Sequence, residues 1–273
     1  MTEKKRRDVL RTAAGVTVLG SLAGCSSDDG GTENTETATG SATGTETESM
    51  DEGTETTATE TEAMDEGRLS VAHMSPNAPN VDVYLDGEAV LEALEYTDVS
   101  TYMAVPPATY DVAITPEGES IDNAVFEGTV AVETAVDYTV AALGEVGDAG
   151  DKPFEPLVLE DDNSDPGGDS SRVRTVHASP DAPAVDLTAS EGAVVLVDSL
   201  EYRQTATSTV ESDGYTVEVR SDTESNDGEV VYDEDISFNG GSVYTVYATG
   251  YLTPDDDPSE ETFDLVVAKD ASY

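Results

Sequence analysis

RLSVAHMSPNAPNVDVYLDG at residues 68–87 returns as RVRTVHASPDAPAVDL at residues 172–187. Alignment of the two pairs Arg68 with Arg172, His73 with His177, Ser75 with Ser179, Pro76 with Pro180, Ala78 with Ala182, Pro79 with Pro183, Val81 with Val185 and Asp82 with Asp186. A mismatch early in the stretch sets Val71 against Arg174. The correspondence continues downstream, Leu94-Glu95-Tyr96 against Leu200-Glu201-Tyr202, Tyr138-Thr139-Val140 against Tyr244-Thr245-Val246, and Phe154 to Leu159 against Phe263 to Ala268. Self-similarity at a fixed spacing marks two copies of one structural unit.

Within each copy the apolar residues recur every second position. VDVYLDG sets Val81, Val83 and Leu85 on one face and ends in the turn pair Asp86-Gly87. TYDVAIT, YTVEVRS and YTVYATGY alternate in the same way, and Gly, Pro, Asn and Asp punctuate the runs. Only Val90 to Leu94 reads equally well as a helical turn. The expected fold is all-β: two tandem antiparallel β-sandwich domains, immunoglobulin-like or transthyretin-like, with seven or eight strands each. The expected bounds are 68–160 and 172–273, joined by an acidic linker at 161–171.

The preceding residues read differently. Residues 1–24 have the layout of an export signal: Arg6 and Arg7 stand before a short, weakly apolar stretch, as in a twin-arginine signal. Leu22-Ala23-Gly24-Cys25 has the form of a lipobox, which predicts lipid on Cys25 and anchoring to the outer face of the cell membrane. Residues 25–67 are Thr-, Glu-, Gly- and Ser-rich, too poor in large apolar side chains to offset the entropy of ordering, and are expected to be a disordered acidic stalk. Its threonines are candidate acceptors for O-linked sugars.

The formal net charge is −47, with 12 basic residues of which five lie in the first eleven positions. Such a surface repels itself unless salt screens it, which points to a halophilic protein. It also excludes nucleic acid as a partner, since no basic patch exists to meet phosphates. The single cysteine rules out an intramolecular disulfide.

The run His-Ala-Ser-Pro-Asp-Ala-Pro-x-Val-Asp, at His177 to Asp186 and varied at Met74 and Asn77 in the first copy, resembles the domain of unknown function 4397 family. With its amino-terminal signal, the chain is similar to haloarchaeal lipoproteins that carry tandem copies of that module. The resemblance implies a surface β-sandwich and brings no activity with it.

The repeated motif, His73, Ser75, Pro76, Pro79 and Asp82 with His177, Ser179, Pro180, Pro183 and Asp186, is the natural candidate site. A histidine near an aspartate suits acid–base or metal chemistry. One histidine per unit, however, falls short of the three protein ligands of a catalytic zinc site. Ser-Pro-Asx-Ala-Pro is turn chemistry, and the structural reading leads. No catalytic, cofactor-binding or metal-binding residue is assigned, and no cofactor is expected. The acidic pairs around Asp161-Asp162 and Asp255 to Asp257 read as solvated loops ahead of calcium sites, and Tyr84, Tyr96, Tyr102, Tyr202, Tyr247 and Tyr251 read as core caps ahead of a sugar platform. The expected function is a non-enzymatic surface lipoprotein binding an envelope polymer, sugar or protein; the alternatives are a secreted hydrolase and a structural spacer.

Overall fold

The computed structural model describes residues 66–147, 150 and 152–273. Arg6, Arg7, Cys25, the export signal and all but the last two residues of the stalk lie outside the described residues.

Eight strands form the first sandwich: β1 (Gly67–His73), β2 (Val81–Leu85), β3 (Glu88–Leu94), β4 (Met103–Val105), β5 (Ala108–Pro116), β6 (Phe126–Val132), β7 (Asp137–Leu143) and β8 (Glu155–Asp161). Eight more form the second: β9 (Ser170–His177), β10 (Val185–Ala189), β11 (Val194–Leu200), β12 (Thr205–Glu211), β13 (Asp213–Ser221), β14 (Val230–Phe238), β15 (Ser242–Thr249) and β16 (Asp264–Ser272). The sheets are ordered β4-β1-β7-β8 and β3-β2-β5-β6 in one, β12-β9-β15-β16 and β11-β10-β13-β14 in the other. Strand for strand the topologies are the same. Val90 to Leu94 lies within strand β3.

One pairing departs from the antiparallel expectation. β1 runs parallel to β7, and β9 parallel to β15, so the inner sheet of each sandwich is mixed. This register also corrects the alignment. Ser70 faces Thr139 where Arg174 faces Thr245, so Ser70, not Val71, is the counterpart of Arg174.

Alternation supplies each core. Val81, Val83, Val112, Ile114, Leu69 and Val71 pack inside the first sandwich, and Val185, Leu187, Val217, Val219, Val173 and Phe238 inside the second. A third apolar cluster lies between the sandwiches. Ala72, Met74, Ala141, Leu143 and Leu159 pack there with Val176, Ala178 and Tyr247. β1, β7, β9 and β15 are therefore buried on both faces, which is why β15 is buried at every position. The result is four stacked sheets with the two mixed sheets in the middle. No helix among the described residues is long and apolar enough to cross a membrane.

Candidate functional site

The repeated motif forms a fastening hub at one end of each sandwich. β1 ends at His73, and the proline-fixed loop leads into β2. The His73 ring Nε2 donates to the Pro79 carbonyl at 3.0 Å while Nδ1 accepts from the Ser75 amide at 3.4 Å. His177 Nε2 donates to the Pro183 carbonyl at 2.9 Å. Both rings are fully buried and stand edge-on to Tyr96 and Tyr202 respectively. Burial lowers both imidazole pKa values, more than the carbonyl partner raises them. Neutral, enclosed and committed to a carbonyl, each histidine clasps its own loop.

The hydroxyl of Ser75 donates to the Gly144 carbonyl, and that of Ser179 to the Gly250 carbonyl, both at 2.6 Å. Asn77 exchanges two hydrogen bonds with the Val146 backbone; Asp181 accepts from the amides of Leu252 and Thr253. Pro76 and Pro180 fix the chain between these two ties, and Pro79 and Pro183 present the carbonyls the histidines hold.

Asp82 and Asp186 are buried and turn away from the histidines. Asp82 accepts from the amides of Ala93 and Gly118, both at 2.8 Å. Asp186 accepts from the amides of Ser199 and Thr223 at 2.9 and 3.0 Å. Ala93 and Ser199 occupy the same left-handed bulge position, with φ of 55° and 53°. The carboxylate satisfies an amide that the bulge removes from the ladder. Asp186 also lies near Asp198 and Asp222, with carboxylate oxygens within 4.8 Å of one another. With its carboxamide nitrogen facing them, Asn226 donates to Asp198 at 3.0 Å and to Asp186 at 3.1 Å.

A second set of polar residues lies at the seam between the sandwiches, where sequence reading had placed a solvated linker. Asp161, at the end of β8, is buried and ion-paired with Arg174 of β9 across the seam at 2.5 Å. It also accepts from Tyr102 and Thr139, at 2.6 and 2.7 Å. Asp270 of β16 accepts from Thr245 at 2.7 Å, and burial pushes its carboxyl up to about 6. Asp162 is exposed and held by Ser164 and Arg172. Asn163 is 8% exposed; its amide nitrogen donates to Asp137 at 2.8 Å, and its side-chain oxygen has no protein partner. It lines a shallow groove of about 810 Å³ that also presents Arg68, Asp137, Asp161, Asp162 and Tyr273.

The tyrosines do not form an exposed platform. Tyr247 and Tyr251 are fully buried, and Tyr96, Tyr102 and Tyr202 line the seam. Burial pushes the phenols of Tyr96 and Tyr202 up to about 12. Asp255 is exposed within the short 3-10 turn Pro254–Asp256. Sequence reasoning missed the seam residues Glu145, Asn163, Arg174 and Asp270. The one available signal was an arginine in the middle of a strand of a chain so poor in bases.

Residues 67–188 match the profile described as "Domain of unknown function (DUF4397)". This stretch is similar to the DUF4397 family. It begins at β1, spans the first sandwich, and ends within β10, just past the second copy of the motif. The match thus takes in the first sandwich and only β9 and most of β10 of the second, whereas the motif resemblance extends to both copies. No curated protein matches the chain. Among solved structures, the chain is similar to "The Bacillus anthracis TIE protein" at 13% identity and a TM-score of 0.21, over 68% of this chain and 34% of that one. The chain thus spans about a third of that protein's length. It is also similar to "The fimbrial anchor protein Mfa2 from Porphyromonas gingivalis" at 11% identity and a TM-score of 0.21, over 76% of this chain and 100% of that one.

Proposed function

We propose that this chain is a non-enzymatic, lipid-anchored protein of the outer cell surface whose fused sandwiches bind a hydroxyl-rich envelope polymer in the groove at their seam. The carrying observation is the Asn163 side-chain oxygen, a buried acceptor with no protein partner, in a residue that lines an open groove. A buried acceptor left unmade costs about 1–3 kcal/mol, and turning the Asn163 amide towards the groove would let a bound hydroxyl donate to it. Arg68, Asp137 and Tyr273 surround it with the mixed donors, acceptors and aromatic surface that suit a saccharide. The twin-arginine layout of Arg6 and Arg7, the lipobox ending at Cys25 and the acidic stalk support export, anchoring and display in salt.

The hydrolase reading finds no support in the motif. His73 and His177 are enclosed and hold carbonyls of their own loops, and neither contacts Asp82 or Asp186 through a hydrogen bond. The test is titration of the Cys25→Ser chain with purified envelope polysaccharide at molar salt, beside Asn163→Leu. Saturable binding weakened at least tenfold in Asn163→Leu is expected. Binding unchanged by Asn163→Leu moves the site elsewhere, and no binding to any envelope polysaccharide rejects the reading.

A further inference from the structure

The seam uses one surface twice. Glu145 and Tyr251 occupy the same position in the two sandwiches: each follows β7 or β15 by two residues and forms a lone bridge, to Pro153 and to Thr262. They touch each other, the Tyr251 hydroxyl donating to Glu145 at 2.8 Å. At the opposite end of the strands Asp161 and Asp270, each holding the threonine at its own equivalent position, both flank Arg174. Between these points equivalent positions face each other across the seam. Arg203 bonds Glu155 at 2.6 Å, while Thr97, the counterpart of Arg203, lines a groove with Asp264, the counterpart of Glu155. Tyr96 contacts Thr249 across the seam. Tyr202, the counterpart of Tyr96, has an unpartnered hydroxyl, because Leu143 stands where Thr249 stands in the other copy.

Equivalent residues meet each other, and contacts occur in exchanged pairs, only about a twofold axis; a head-to-tail stack would join two different surfaces. We infer that the tandem is an internal dimer, and that the partner each inner sheet fits is the opposite sandwich, whether from its own chain or from a second copy of the chain. The two faces are unlike at equivalent positions on the seam: Glu145 against Tyr251, Ser70 against Arg174, Ala141 against Tyr247. Pairing two identical faces would set glutamate on glutamate or arginine on arginine. A freed first face therefore takes a second face, and chains can exchange sandwiches.

The experiment uses the full Cys25→Ser chain at molar salt. Tyr247→Arg spoils the second face and frees the first; Ala141→Arg spoils the first and frees the second. Each position belongs to the seam cluster and to neither sandwich core. Light scattering after gel filtration should give one chain for each variant alone and two chains for their mixture. Should either variant lose its cooperative melt, Met74→Arg replaces the first-face variant and Thr249→Arg the second-face variant. A mixture that stays at one chain, with scattering profiles showing separated sandwiches, overturns the inference. Variants that each dimerise as well alone as mixed overturn the claim that the faces have become complementary.

Discussion

Replacing Asp186 by alanine removes the acceptor that holds two loops at once. The Ser199 and Thr223 amides, at 2.9 and 3.0 Å, lose their partner inside a site where Asp186 is wholly buried. Water has poor access, so each orphaned donor costs about 1–3 kcal/mol. Ser199 is further committed to a left-handed φ of 53°, a conformation alanine would not help to hold. Relief of repulsion from Asp198 and Asp222 works the other way, but both are exposed and molar salt screens them. The sum is about 4 kcal/mol. At roughly 4–8 °C per kcal/mol for a domain of this size, the second sandwich should melt about 20 °C lower.

His177→Gln makes the comparison decisive. Glutamine retains a donor for the Pro183 carbonyl, so this change should cost about 1 kcal/mol. Asp186→Asn should fall between, because it keeps one acceptor and turns the other into a donor facing an amide. Calorimetry of the Cys25→Ser chain at molar salt ranks the three. If Asp186→Ala melts no lower than His177→Gln, the assignment of the aspartate as the fastener is wrong. Asp82→Ala should reproduce the effect in the first sandwich, since Ala93 and Gly118 stand in the same places.

Gly250 has φ of +78°, and a Cβ there would lie 2.2 Å from the Thr262 carbonyl oxygen; Gly250→Ala should cost more than 2 kcal/mol in urea unfolding. The buried histidines titrate below their ordinary 6.5, so their contribution is complete above that pH and is lost as pH falls below it. Asp270, raised to about 6, acts in the opposite sense below that pH, so Asp270→Asn should steepen the acid-side loss of the urea midpoint. Cys25→Ser should move the protein from the membrane fraction to the medium, and a variant that still partitions into detergent removes the lipid anchor.

Much of the fold was legible because alternation is a local property. VDVYLDG sets its valines inward and turns at Asp86-Gly87, where φ is 49° and 83°. Val90 to Leu94 was ambiguous because the bulge between β2 and β3 breaks the period of two. The parallel pairing of β1 with β7 was not legible, since pairing partners far apart in sequence leave no mark on either strand. The seam was hidden for a related reason. Asp161 and Asn163 carry the composition of a solvated linker, yet both are buried where the sandwiches meet, beside Arg174 and Tyr273 of the second.

The two copies sort their own residues by task. Where they agree, as at His73 and His177, Ser75 and Ser179, Pro79 and Pro183, Asp82 and Asp186, the residue serves its own sandwich, and the same backbone needs the same partner twice. Some of the sharpest differences lie on the seam, Ser70 and Arg174, Met74 and Ala178, Leu143 and Thr249, Glu145 and Tyr251, while others, such as Thr115 and Arg220, lie on the outer sheets. A twofold contact between identical faces forces each axial residue to meet itself, which a charge or a bulky ring tolerates poorly. Covalent linkage lifts that constraint, because each half can change alone. Of the seven basic residues beyond position 11, Lys152, Arg174 and Arg203 all reach across the seam. In a chain this acidic, two like surfaces would repel before they packed. Cations placed on one partner at a time let the sandwiches close.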